Sequence, residues 1–399
     1  MDIGNKYGHL SYSTLVHPGD TWEQMRESLH KYLPQVKKRV SPHAPFGVSI
    51  RLSAATAAEL VENREERDDI KRFFKENDLY VYTANAFVYG SFKNTLVKEQ
   101  VYEPDWHSEE RLQYTKNVAD ILADISPAGV APSIQTAPLA FRPKVNSPEY
   151  LATMTRNVLR MIAHLADLES RTGRRVTLAI EPEPACYLET TDDVVTYFRD
   201  HVHTGAAARQ LAEIGGMPVS EAIGSLRRYV GIVYDICHQA VECEDIEASL
   251  NRLVDAGIPI FKLQEASAVR VPEVTQANVD LLKKFADTIY LTQTTEQKDG
   301  KIRQYLNLEE AFDAWERDPG PREWRIHFHV PVFLDALGSL GTTRFAIEEA
   351  LRVHKALPLS THLEIETYTW DVLPDHLKTG DIVDYVSREL DWVRGQLID

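Results

Sequence analysis

Nine short runs rich in β-branched and aromatic residues punctuate the 399-residue chain, most of them separated by longer stretches with helical periodicity. Strands that alternate with crossover helices lie parallel in one sheet, which confines the chain to an α/β barrel or a doubly wound sheet. The runs are HLSYS (9–13), GVSIRLS (47–53), YVYTANAF (80–87), APSIQT (131–136), VTLAIEP (176–182), VGIVYD (230–235), IFKLQ (260–264), RIHFHV (325–330) and HLEIET (362–367). They compete for the eight places of a (β/α)8 TIM barrel. Between them, Ser147, Pro148 and Glu149 supply an N-cap, a first-turn proline and a dipole-matching acid. Two segments depart from a plain barrel. Residues 202–228 read as an inserted helical pair, and Asp299-Gly300 reads as a type I′ hairpin turn within 289–307, a lid or an oligomer contact. No repeat or linker marks a boundary, so one barrel domain over 1–399 is expected.

Composition narrows the partners. A formal net charge of -16 opposes phosphate backbones, so nucleic acid is not an expected ligand. No run of eighteen apolar residues occurs, so membrane insertion is not expected. Cys186, Cys237 and Cys243 form no CxxC pair, which argues against a disulfide framework and fits a cytoplasmic location. A homo-oligomer stays open.

In a barrel, one side-chain parity of each strand faces the interior. Sorting by the apolar set turns Arg325, His327 and His329 inward in RIHFHV, and His362, Glu364 and Glu366 inward in HLEIET. By the same rule Glu181, Asp235, Lys262 and Gln264 face in, as do Ser49, Arg51 and Ser53, and His9, Ser11 and Ser13. Burying so many polar groups unpaired would cost several kcal/mol for each charge, on the order of the whole stability of a domain. They must meet each other, water or a metal. Most lie at strand C-terminal ends, where barrel active sites are built. Carboxylates and imidazoles converging from several strands are the donor set for a divalent Zn, Mn, Mg or Co ion. Glu181, Asp235, His329 and Glu366 are the expected ligands, with His238 a further ligand or a base. Arg325 and His362 read as packing residues, Glu183 as a surface loop residue, and Cys237 as a small buried hydrophobe.

At these residues the chain resembles the xylose-isomerase-like barrels, a group of sugar isomerases and epimerases, inosose dehydratases and endonuclease IV. The resemblance rests on IEPEP with Glu181, YDICH with Asp235 and His238, and LEIET with Glu366, in that order. In that group a histidine commonly stands three residues before an acid on the intervening strand. Here Lys262 ahead of Glu265 reads as occupying its place, and Glu183 stands where an IEPKP segment would carry lysine. The segments GHLSYSTLVHPGDTW, APSIQTAPLAFRP and HLEIETYTWDVLP further resemble the EboE family, barrel proteins of a metabolite-traffic cluster. The resemblance implies a metal-dependent isomerase, epimerase or lyase acting through an enediolate on a sugar- or cyclitol-like substrate, in biosynthesis or export of a small metabolite. Glu181, Glu366 or His238 would serve as bases, and Lys262 as a catalytic cation. Arg51, Gln264, His327 and His9 would contact substrate. Two alternatives stand beside this: a Schiff-base aldolase or dehydratase using Lys262, and a metabolite-binding protein without turnover.

Overall fold

The alternation of strand and helix closes into a barrel. In the computed structural model, which describes residues 1–4, 6–90, 98–283, 291–367 and 380–398, the barrel strands are β1 (His9–Tyr12), β2 (Phe46–Arg51), β3 (Leu79–Asn85), β4 (Ser133–Thr136), β5 (Thr177–Ile180), β6 (Val230–Asp235), β7 (Ile260–Glu265) and β14 (His362–Ile365). All neighbours pair in parallel in the order β1-β14-β7-β6-β5-β4-β3-β2, and a Ser13–Ser49 bridge joins the two ends. Leu10, Val48, Ile134, Leu178, Ile232, Leu263 and Leu363 are fully buried in one core cluster, as expected for the parity that packs beneath the helices.

Local signals set the helices. Ser147 Oγ accepts from the Tyr150 N–H, Pro148 opens the helix Pro148–Thr172, and Gly173 ends it in the left-handed region at φ 68°. The helices Gly205–Gly215 and Val219–Arg228 pack against it.

The strand RIHFHV is not a barrel strand. The chain leaves β7 through Ala266 and continues as β8 (Ser267–Val271) in a second, antiparallel sheet. Its other strands are β9 (Thr294–Lys298), β10 (Lys301–Tyr305), β11 (Glu323–Val330), β12 (Ala336–Leu337) and β13 (Leu340–Thr342), in the order β10-β9-β11-β8-β13-β12. Both seams beside the eighth barrel place belong to β14, which pairs with β7 on one side and β1 on the other. β11, carrying RIHFHV, pairs instead with β8 and β9. The β9–β10 turn has Asp299 at φ 51° and Gly300 at φ 72°, the two positive angles a type I′ turn requires. Residues 289–290 of the expected hairpin segment, and 368–374 of HLEIETYTWDVLP, lie outside the described residues.

Candidate metal centre and active site

Three strand ends bring three carboxylates together. Glu181 follows β5, Asp235 ends β6 and Glu366 follows β14, and one oxygen of each lies within 4.8 Å of the others. Asp235 is divided between two tasks. Its Oδ1 accepts from the backbone N–H groups of Cys237 (2.7 Å) and His238 (3.2 Å), capping the short helix Ile236–Val241, and its Oδ2 faces the other acids.

Gln264 of β7 reaches into the middle of this group. Its Nε2 lies 3.0 Å from Glu181 Oε1, 2.5 Å from Asp235 Oδ2 and 3.0 Å from Glu366 Oε2. An amide has two hydrogens, so one nitrogen cannot donate fully to three carboxylates. Its Oε1 is buried and meets no partner among the described residues. Rotating the amide by half a turn would aim that orphaned oxygen at the acids, and four oxygens would then surround a single point. This is a donor set for a hard divalent cation, and the residues present fit one.

Electrostatics point the same way. Burial, followed by Glu366 and Asp235, pushes the Glu181 carboxyl well above the usual carboxylate range. Burial and Glu364 push Glu366 up to about 8. Asn85 Nδ2 donates to Glu366 Oε1 at 2.9 Å and Gln135 Nε2 donates to Glu181 Oε2 at 2.5 Å, so neutral amides orient both acids without discharging them. A cation or bound protons must do that.

Beside the acids stand three imidazoles. His238 presents Nδ1 to Pro182 O at 2.8 Å, His329 presents Nδ1 to Glu366 O at 2.6 Å, and His327 presents Nδ1 to Gln293 Oε1 at 2.9 Å. Those oxygens accept only, which puts each N–H on Nδ1 and a lone pair on each Nε2, the tautomer in which metal-ligating histidines are held. Burial lowers His329 to about 4 and holds His327 well below the ordinary imidazole value, which favours the neutral ring in both.

The structure thus divides the expected ligands. Glu181, Asp235 and Glu366 converge, while His238 and His329 gather with His327, and Asp235 lies within reach of both sets. His327 and His329 descend from β11 of the second sheet, above the mouth, and do not rise from the barrel wall.

Other expected residues lie elsewhere. Lys262 sits fully buried, its Nζ 3.0 Å from Glu364 Oε2 and 2.6 Å from Gln135 Oε1, and it does not line the cleft. Gln264, not Lys262, meets the acids from β7. Arg51 is held by Gly19 O at 2.7 Å, Gly90 O at 3.0 Å and Asp20. His9 opens β1 and bonds the Tyr80 hydroxyl at 2.8 Å, at the far end of the strand from the mouth. Neither lines the cleft. Glu183 is no surface residue: it is buried in the mouth, where the Tyr102 hydroxyl donates to it at 2.8 Å, and burial raises its pKa. Sequence reasoning missed Asn85 and Gln135, although both lie at the ends of candidate strands and polar strand ends were the signal used elsewhere. Leu15, Phe87, Val88 and Val101 supply an apolar wall to the cleft.

No family model and no curated protein matches the sequence. Among solved structures, the chain is similar over its whole length to a xylose isomerase-like TIM barrel protein from Mycobacterium smegmatis in complex with magnesium, at 11% identity and a TM-score of 0.50, covering 98% of that chain. Weaker likenesses are to the IOLI protein with a bound zinc atom (13% identity, 98% of each chain, TM-score 0.47) and to a xylose isomerase domain protein from Planctomyces limnophilus (14% identity, 89% of this chain and 97% of that one, TM-score 0.46). Eight parallel strands in barrel order, together with the whole-length match to the mycobacterial barrel, show that this chain has the (β/α)8 TIM-barrel fold.

Proposed function

We propose that this chain is a divalent-metal-dependent isomerase, epimerase or related lyase acting on a sugar- or cyclitol-like carbonyl compound. One observation carries the reading: Glu181, Asp235 and Glu366, from three strands, converge on the Gln264 amide at the mouth of the barrel. Glu181, Asp235 and Glu366 would hold a divalent cation, which would supply Lewis-acid polarisation of adjacent substrate oxygens. The protein supplies the rest. Glu181 and Glu366 are the acids placed beside that position to take a hydrogen from the carbon next to a carbonyl and to return it. Asn85 and Gln135 hold the two acids in place. His327 closes over the cleft from the second sheet, and the apolar wall keeps water from the reacting carbon.

The Schiff-base alternative loses its nucleophile, because the Lys262 amine is fully buried and paired to Glu364. A cytoplasmic role in making or moving a small metabolite extends the proposal through the likeness to the EboE family. No helix among the described residues is long and apolar enough to cross a membrane.

The test is deuterium wash-in from D2O into a panel of ketoses, aldoses and inososes, with chelator-treated and metal-reloaded protein. Exchange that needs the metal and disappears in Glu181→Gln and Asp235→Asn is expected. Unchanged metal content in both variants sinks the ligand assignment, and exchange by the chelated protein sinks metal dependence.

A further inference from the structure

His327 Nε2 and His329 Nε2 lie 3.3 Å apart. For His329 the Nδ1 proton is committed to Glu366 O, and for His327 to Gln293 Oε1. The Gln293 amide is fixed by its Nε2, which donates to the Tyr102 oxygen at 3.0 Å, whose own proton goes to Glu183, and to Pro184 O at 3.3 Å. Two Nε2 acceptors therefore face each other inside the protein, as two ligands of one cation do. The spacing identifies it. Two nitrogens about 2.0–2.1 Å from a shared tetrahedral ion stand about 3.3–3.4 Å apart.

A third donor completes the group. A ligand atom of Cys237 lies within 4.8 Å of those of His327 and His329, while His238 stands alongside, near His327 in company with Glu183 and near His329 in company with Asp235. Cys237 and His238 sit in the first turn of the helix that Asp235 caps, so the barrel provides one part of the set and β11 the other.

We propose that His327, His329 and Cys237 form a second metal site, distinct from the oxygen cage, for a borderline cation of the zinc or cobalt(II) class, with the fourth position open on the side of His238. Nitrogen and sulfur donors select such an ion, whereas the four oxygens around Gln264 suit magnesium or manganese. Binding displaces the Cys237 thiol proton to solvent and leaves the imidazole protons on Nδ1. The ion ties the second sheet to the barrel, with Asp235 lying between the two positions. The site extends the proposed function but stands on its own residues.

Chelator-stripped full-length protein is titrated with cobalt(II), with uptake measured by elemental analysis and coordination by absorption spectroscopy. Two cobalt ions per chain are expected, with intense visible bands of four-coordinate cobalt and a near-ultraviolet thiolate-to-cobalt band. Cys237→Ser removes the near-ultraviolet band. His327→Gln with His329→Gln leaves one cobalt and abolishes the intense visible bands. Glu181→Gln with Glu366→Gln also leaves one, and keeps them. Uptake of a single cobalt, or visible bands indifferent to the paired histidine substitutions, overturns the second site. A near-ultraviolet spectrum unchanged in Cys237→Ser overturns the thiolate ligand. Should the histidine pair not fold, the wild-type and Cys237→Ser spectra decide alone. Loss of the oxygen-cage ion with the four-coordinate spectrum intact would count against the proposed function and leave this site standing.

Discussion

Glu366→Gln should stabilise the metal-free protein, although it removes a residue of the active centre. Glu366 is buried beside Glu364 and Asp235, and it keeps its proton up to about pH 8, whereas an unfolded chain releases it near 4.5. A raised carboxyl pKa contributes stability that is complete below the unfolded value and is lost as pH rises to the folded one. At pH 7 the folded protein still holds a proton that the unfolded chain has released. At about 1.36 kcal/mol for each tenfold, this costs about 3 kcal/mol of stability. Glutamine is neutral at every pH and keeps an oxygen for Asn85, and its new N–H group can donate to the Gln264 oxygen once that amide turns. For a chain of 399 residues, an unfolding entropy of about 2 cal/mol/K per residue converts 3 kcal/mol into about 3–4 °C of Tm. The assay is thermal melting of chelator-treated wild type and variant from pH 5 to 8.5. Wild-type Tm should fall with rising pH more steeply than that of the variant, and the two should differ most near pH 8. Added divalent metal should reverse the order, since it replaces the protons that wild type needs and the variant offers a poorer ligand. A metal-free variant that melts below wild type at pH 7, with the same pH slope, would refute the crowding of charge on which the centre is argued.

Lys262→Met should cost about 3–5 kcal/mol by leaving Glu364 buried and unpaired, and adding Glu364→Gln should recover much of it, both read from melting curves. Gln264→Leu should weaken metal uptake at the carboxylates and leave the cobalt spectrum of the imidazole cluster in place, as titration of the variant will show. Gly231→Ala should lower Tm through an overpacking cost of about 1–3 kcal/mol, because a Cβ there would lie 2.3 Å from Pro259 O and 2.9 Å from the Phe261 ring.

Much of the candidate site's geometry was legible because strand parity is a local property. Two-residue alternation is enough to turn Glu181, Asp235, Gln264 and Glu366 to one side of their strands, and strand ends in a barrel share one mouth. Parity does not give depth. Lys262 and Gln264 share a face of β7, yet one pairs with Glu364 and the other reaches the acids, a difference set by how neighbouring strands are staggered. His9 and Arg51 failed to reach the cleft for related reasons: one lies at the wrong end of its strand, and loop carbonyls hold the other.

The sequence by itself determined the strand and helix alternation, the helix caps, the type I′ turn and the inward set of acids, since each depends on residues within a few positions of one another. Only the tertiary structure decided which of nine strands stays outside the barrel, because that choice depends on which edges find partners. It took β11 into the second sheet and so brought His327 and His329 down onto Cys237 and His238 from above. Meetings between residues about ninety positions apart are fixed by the packing of the whole chain, and no local pattern records them.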